Sequence, residues 1–405
     1  MPIKPELLAP AGDLEKLRTA IAYGADAVYL GGRDFSLRAG AGNFDEPQLL
    51  EGLYHAHSHG VRVYVTLNIF ARNSDLEAMG EYAAWLAAAG VDAVIVADPG
   101  VFRTVKHYCP QLEIHISTQA NCSNKEAAAF WHEAGARRVV LARECSLAET
   151  EEIHRHSPVE LEAFIHGAMC MAWSGRCLIS SHLVGRSANR GDCAQPCRWQ
   201  YHLVEEQRPG EYMPVEEDSR GTYILNARDL CMLPHIGQLA AAGVTGFKIE
   251  GRMKSVHYLA TVVNAYRVNI DRWWQDPAGF AVEEDWMEEL AAASHRPWST
   301  GFYFGNPGAD GQHTEDSQYR RFSDFVAVVR GWQKGRLLLE QRGKFAAGET
   351  LELLIPGSLP RPLVVKDIQD SEGASVQEAP HAQQQLWLEW PEPVPEFTVV
   401  RRRKA

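Results

Sequence analysis

The sequence predicts an α/β chain built on a TIM-like (β/α)8 barrel, with a Cys-rich insertion after the seventh strand and a small all-β barrel domain at the end. Three observations carry that expectation. Eight short apolar runs alternate with amphipathic stretches through the first 255 of 405 residues. Five of those stretches end in glycine just before the next run, in IAYGAD, HSHGVR, AAAGVD, HEAGAR and AAGVTG. From about Arg320 the apolar period shortens to two. Continuous apolar runs are the pattern of parallel strands buried on both faces. Glycine just past a helix is its usual left-handed cap. Eight such units in about 250 residues is the size of a TIM barrel. A doubly wound sheet is the alternative, but AGAG at Ala39–Gly42 lacks the third glycine of a dinucleotide fingerprint.

In order, the runs are Glu6–Ala9, Ala27–Gly31, Val61–Leu67, Ala93–Asp98, Glu113–Thr118, Val139–Arg143, Leu161–His166 and Phe247–Gly251. The last two are 80 residues apart, where one βα unit takes about 30. That excursion contains a candidate hairpin, WQYHLVEE and EYMPVEE around Arg208-Pro209-Gly210. Loops after barrel strands build the active-site face, so the excursion should cover the barrel mouth. Val256–Trp274 and Val282–Ala293 read as amphipathic helices, and RPWSTGFYFGNPGADGQ as a Pro/Gly/Ser-rich linker. Six short strands follow: FVAVVRG, RLLLEQ, TLELLIP, PLVVKDI, LWLEW and FTVVRRR. The expected organisation is a barrel over 1–295 with its insertion at about 168–240, a linker at 296–319 and a β domain over 320–405.

Hydrophobic content of 45% and charged content of 23% are those of a water-soluble globular chain. No apolar run reaches the roughly 20 residues of a membrane span, and MPIKPELLAPAGD has no apolar export segment, so a cytoplasmic protein is expected. A net charge of −12 argues against non-specific nucleic-acid binding by the whole surface. It leaves room for a local basic site. Arg176, Arg186, Arg190 and Arg198 lie among the cysteines. The terminal Arg401, Arg402, Arg403 and Lys404 read as a solvated, frayed end.

Five of the eight cysteines crowd together: Cys170, Cys177, Cys193 and Cys197 within 28 residues, then Cys231. The gaps read C-x6-C-x15-C-x3-C-x33-C. Thiolates are the preferred ligands of iron–sulfur centres and soft metals. Structural zinc favours paired short spacings, and only Cys193 and Cys197 have one. Irregular gaps suit ligands that converge from several loops onto a cluster. Zinc and unligated core thiols stay open as alternatives, whereas disulfides would need an oxidising compartment.

Polar residues at the C-terminal ends of barrel strands are the catalytic candidates. They are Asn68, Asp98, Gln119, Asn121, Arg143, Glu144, His166, Lys248, Glu250, Arg252 and Lys254. His166, four residues before Cys170, could ligate, bond a cluster sulfur, act as acid/base or be structural. Glu250 and Arg252 read either as a loop-propping ion pair or as a pair holding a polar substrate. No G-x-S-x-G elbow is present, and His132-Glu133 lacks a second zinc histidine because position 136 is Ala136.

HGAMCMAWSGRCLISSHLVGRSANRGDCAQPCRW, NARDLC, KIEGRMKS and the opening ELLAPAGDLEKLRTAIAYGADAVYLGG closely resemble the U32 family, historically labelled collagenase-like peptidases. Length and domain order look most like its prephenate-dependent tRNA uridine hydroxylases. The resemblance implies a [4Fe–4S] cluster on Cys170, Cys177, Cys193 and Cys231, with Cys197 as an alternative ligand. It implies oxygen-independent 5-hydroxylation of the wobble uridine in a tRNA anticodon loop, with prephenate as oxygen donor. On that reading His166, Glu250 and Arg252 are catalytic candidates, and Arg143, Lys254, Gln119 and Asn68 bind substrate. A splayed base could stack on Trp173 or Trp199. Two other readings are a protease, as the old label says, and a non-catalytic cluster protein acting with a paralogous U32 chain.

Overall fold

A computed structural model of the chain describes residues 3–36, 42–169, 203–204, 212–213, 216–218, 221–223, 226–307, 312–313 and 320–404. Eight parallel strands form a closed barrel: β1 (Glu6–Pro10), β2 (Ala27–Leu30), β3 (Arg62–Leu67), β4 (Ala93–Val96), β5 (Glu113–Ile116), β6 (Arg138–Val140), β7 (Glu160–Gly167) and an eighth strand, Val244–Ile249. The first seven pair in chain order, and the eighth pairs with both β7 and β1. The expected TIM-like barrel is therefore present, its strands within three residues of the runs read from the sequence.

Between the strands lie α1 (Leu14–Ala22), α2 (Glu46–Ser58), α3 (Asn73–Ala89), α4 (Pro99–Tyr108), α5 (Lys125–Glu133) and α6 (Leu147–His156). Short polar side chains start several of them. Asp45 accepts from the backbone N–H of Gln48 at 2.9 Å, Asn124 from Ala127 at 2.9 Å and Ser146 from Glu149 at 3.3 Å. Asp98, a catalytic candidate by position, is such a cap: its Oδ1 accepts the N–H of Val101 at 3.0 Å. Gly24, Gly60, Gly90, Gly135 and Gly243 all have positive φ, as expected of glycines that end helices. Among the described residues no helix is long and apolar enough to cross a membrane.

The described chain divides into two compact units, each discontinuous in sequence: Met1–Leu14 with Ala27–Met253 and Arg296–Tyr319, and Glu15–Asp26 with Lys254–His295 and Arg320–Ala405. In the first, strand Asp229–Cys231 lies antiparallel to the end of β7, and Trp298–Ser299 lies parallel beside it. Trp298 and Tyr303 come from the Pro/Gly/Ser-rich stretch. Tyr303 is buried, and its hydroxyl donates to the carbonyl of Phe164 at 2.6 Å. The expected hairpin is present as Leu203–Val204 paired antiparallel with Tyr212–Met213; its turn lies outside the described residues.

The second unit carries an eight-stranded antiparallel sheet, in the order Arg361–Val364, Thr350–Leu354, Val399–Arg403, Ser323–Gln333, Arg336–Gln341, Gln385–Glu389, Ile368–Asp370 and Ser375–Val376. Period-two alternation is plain in Arg336–Gln341, where Leu337, Leu339 and Gln341 are buried and their neighbours half-exposed. All eight strands feed one core, which includes Val329, Leu339, Leu353, Leu363, Ile368, Leu388 and Val400 with Val376 packed against it. The sheet curls round that core as a half-barrel.

The basic C-terminal run is not a frayed end. Val399–Arg403 is an interior strand. Arg401 is 0% exposed and binds Glu289 at 2.6 and 2.8 Å and Glu352 at 2.7 Å. Arg402 pairs with Glu349 and Lys404 with Asp324. Carboxylates thus neutralise the strand that composition alone marked as loose and cationic. The same strand is tied by Tyr23 on α1, whose hydroxyl accepts the N–H of Val399 at 2.9 Å and donates to the carbonyl of Leu354 at 2.5 Å. Tyr23→Phe leaves both backbone groups without that partner and should cost about 1–3 kcal/mol in urea unfolding.

Candidate active site at the barrel mouth

A layer of charge fills the barrel below its mouth. Arg138 Nη1 donates to Glu6 Oε1 at 2.6 Å and to Glu162 Oε2 at 3.1 Å. Lys248 Nζ donates to Glu162 Oε1 at 2.7 Å, and Tyr64 donates to Glu6 at 2.9 Å. Burial alone would push the Glu162 carboxyl up, but Lys248 and Arg138 outweigh it and hold it below the ordinary range. Burial pushes the Lys248 ammonium and the His115 imidazole down, so His115 is neutral. Glu6, Arg138 and Glu162 sit near the starts of their strands, the end of a TIM barrel that serves stability rather than chemistry. Lys248, one of the candidates, belongs to this layer. The other members escaped the sequence reading, although a charge inside an otherwise apolar run, as in ELEAFIHG, was a usable signal.

The C-terminal strand ends bring several of the named residues together in pairs. At the end of β7, His166 faces Cys231 in register, and Leu230 faces Gly167. The His166 carbonyl accepts the N–H of Glu250 at 2.9 Å, and its ring meets Trp298 edge-on with centroids 6.4 Å apart. His166 and Cys231 are both buried, at 2% and 5% exposure. Arg143 Nη1 donates to the Ala168 carbonyl at 3.0 Å, and its guanidinium lies 4.0 Å from the Phe164 ring centroid. Its head is thereby fixed at the mouth by a hydrogen bond and a cation–π contact.

Arg252 is buried. Its Nη2 donates to Ser36 Oγ at 2.9 Å and its Nη1 to Thr66 Oγ1 at 3.3 Å. A Cβ at residue 31 would overlap both Arg252 Nη1 and Ser36 Oγ, so the glycine after β2 lets these two side chains lie against the backbone there. Asn68 Nδ2 donates to Gln119 Oε1 at 2.7 Å. Lys254 falls in the second unit, where its ammonium lies 5.2 Å from the Tyr258 ring centroid. Glu250 is half-buried beside its backbone link to β7.

Four of the five clustered cysteines, Cys170, Cys177, Cys193 and Cys197, lie outside the described residues, as do Trp173 and Trp199. Among the described residues no three His, Cys, Asp or Glu side chains group around a metal position. Cys231 alone tests the fit. It is a buried thiol on a strand clamped to β7, directly opposite the histidine that precedes Cys170 by four residues. That placement suits a soft thiolate ligand with a histidine beside it. Burial pushes Cys109 up, Cys122 up to about 11 and Cys145 up to about 12, so they remain protonated and poor ligands.

Comparison with known proteins agrees with this layout. The family model for peptidase family U32 matches residues 12–313, and that for the peptidase family U32 C-terminal domain matches residues 321–401. The chain is 40% identical over 385 residues to tRNA hydroxylation protein P1 of Bacillus subtilis (strain 168), covering 93% of this chain and 90% of that protein. It is 36% identical over 436 residues to tRNA hydroxylation protein P of Escherichia coli (strain K12), covering 97% and 94%. To a 23S rRNA 5-hydroxycytidine synthase of Escherichia coli (strain K12) it is 40% identical over 266 residues, covering 66% of this chain and 39% of that protein. With both halves of the family's architecture matched along the chain, this protein belongs to peptidase family U32.

Proposed function

We propose that this protein is an iron–sulfur RNA hydroxylase that adds a hydroxyl group to C5 of the wobble uridine in tRNA, without molecular oxygen and with prephenate as oxygen donor. Relatives similar over nearly the whole chain are named for tRNA hydroxylation. The observation that carries the reading is the position of Cys231, held opposite His166 at the C-terminal end of β7. Cys170, Cys177, Cys193 and Cys231 would hold a [4Fe–4S] cluster there, with Cys197 as the alternative ligand. When bound, such a cluster supplies one-electron chemistry at the mouth of the barrel.

The remaining roles fall to side chains of this chain. Prephenate carries two carboxylates, and Arg143 presents a guanidinium already oriented by Ala168 and Phe164. Arg252, bonded to two hydroxyls under Gly31, holds the loop after the eighth strand and adds positive charge to the same end of the barrel. His166 is placed to move a proton or to bond a cluster sulfur. The anticodon loop is single-stranded, so its base can be splayed into the mouth. A peptidase would need an activated nucleophile, which protonated Cys109, Cys122 and Cys145 do not offer.

Nucleoside mass spectrometry of tRNA from a strain lacking this protein tests the reading. Hydroxyuridine should vanish, and should return with the wild-type chain only when cells make prephenate. Unchanged hydroxyuridine in the deletion strain would overturn it. Arg143→Gln should lower kcat/KM for prephenate by about 10-fold or more, the size of a lost hydrogen bond to a charged group.

A further inference from the structure

Asn68 and Gln119 are joined by one hydrogen bond, and each keeps a further hydrogen-bonding group that no described residue uses. Asn68 Nδ2 donates to Gln119 Oε1 at 2.7 Å, and Ser117 Oγ donates to the same oxygen at 3.2 Å. The Ser117 hydroxyl also accepts the backbone N–H of Gln119 at 3.4 Å. A hydroxyl has one proton to give, and here it goes to Oε1. Among the described residues, the side-chain bonds of Gln119 all run through Oε1, leaving its NH2 unspent. Across the pair, Asn68 Oδ1 is shielded from water and, among the described residues, accepts no hydrogen bond. An acceptor in that state is costly to keep unless a donor arrives to meet it. Both side chains belong to the catalytic end of the barrel, Asn68 after β3 and Gln119 after β5.

We propose that this amide pair reads the pairing edge of a pyrimidine base and selects uracil. The proposal deepens the function above and rests on it for the identity of the RNA. Uracil sets an N3–H donor beside an O4 acceptor. Asn68 Oδ1 takes the N3–H, and the Gln119 NH2 donates to O4. Cytosine sets an acceptor at N3 beside a 4-amino donor, so acceptor would face acceptor and donor would face donor. Sites built to hydrogen-bond a substrate reject an analogue that leaves their buried groups unpaired. Holding that edge leaves C5 uncovered for reaction.

The test uses the full chain and two fluorescent anticodon stem–loops that differ only in uridine or cytidine at the wobble position. Wild type should bind the uridine loop about 10-fold or more tighter by anisotropy. Gln119→Glu, isosteric but with an acceptor in place of the donor, should bring the ratio close to one, and so should Asn68→Ala. Both should melt close to wild type. Equal binding of the two loops by wild type, no binding of either, or a preference that survives both substitutions would overturn the proposal. Hydroxyuridine formation by wild type is scored separately. Hydroxylation with an unchanged preference in the variants would remove only the base reader, whereas an amide-dependent preference without hydroxylation would remove only the proposed reaction.

Discussion

Glu162→Ala is expected to destabilise the barrel by about 3–5 kcal/mol, the cost of leaving buried cations without their partner. Glu162 is 0% exposed and accepts from both Lys248 and Arg138. Removing it leaves an ammonium and a guanidinium in a cavity that water does not reach. Replacing Glu162 and Lys248 together with methionine should recover much of the loss, because Arg138 keeps Glu6 and Glu160. Urea unfolding of the two variants against wild type measures this, and equal losses for single and double variants would show that packing rather than charge sets the cost. The pH dependence has a definite sign. Burial opposes ionisation of Glu162, but Lys248 and Arg138 prevail and depress its folded pKa. The contribution of this carboxylate is therefore complete above the unfolded glutamate range of about 4.3 and drains away as pH falls through the lower folded value. Glu162→Gln, which does not titrate, should flatten that acid limb.

Cys231→Ser should have the largest effect on activity. Serine keeps the size of the side chain and the backbone pairing with His166, but a hydroxyl is a poor ligand where a thiolate is wanted. Anaerobically purified wild type should be brown, absorb broadly near 400 nm and carry about four iron atoms per chain. The variant should lose most of the iron and the colour, form no hydroxyuridine, and unfold within about 1 kcal/mol of the wild-type apoprotein. Cys145→Ser serves as the control. Its thiol is pushed up to about 12 by burial and by nearby negative groups, so its loss should leave iron content unchanged. Full iron and full activity in Cys231→Ser would remove this thiol from the ligand set.

The barrel was legible because its signals are local. A buried parallel strand has to be apolar along its length, as in AVYL of β2 and AVIV of β4. A helix cap is set by one side chain or one glycine, as at Asp45 and Gly90. The terminal strand was misread because FTVVRRR shows only half of what decides its environment. Its partners Glu289, Glu349 and Glu352 come from other elements. Asp98 looked catalytic for the same reason: position marked it, and only the hydrogen bond to Val101 shows that it caps α4.

Order along the chain was enough for family membership and the count of barrel strands, since each depends on residue type and spacing. Three-dimensional packing alone could sort the polar residues into tasks: Lys248 into the charge layer, Arg252 under Gly31 with Ser36 and Thr66, Asn68 onto Gln119, and Cys231 across from His166. The reason is physical. Apolar periodicity is imposed by neighbours along the chain, whereas a buried charge or amide takes its role from whichever atom, often a hundred residues away, completes its hydrogen bonds.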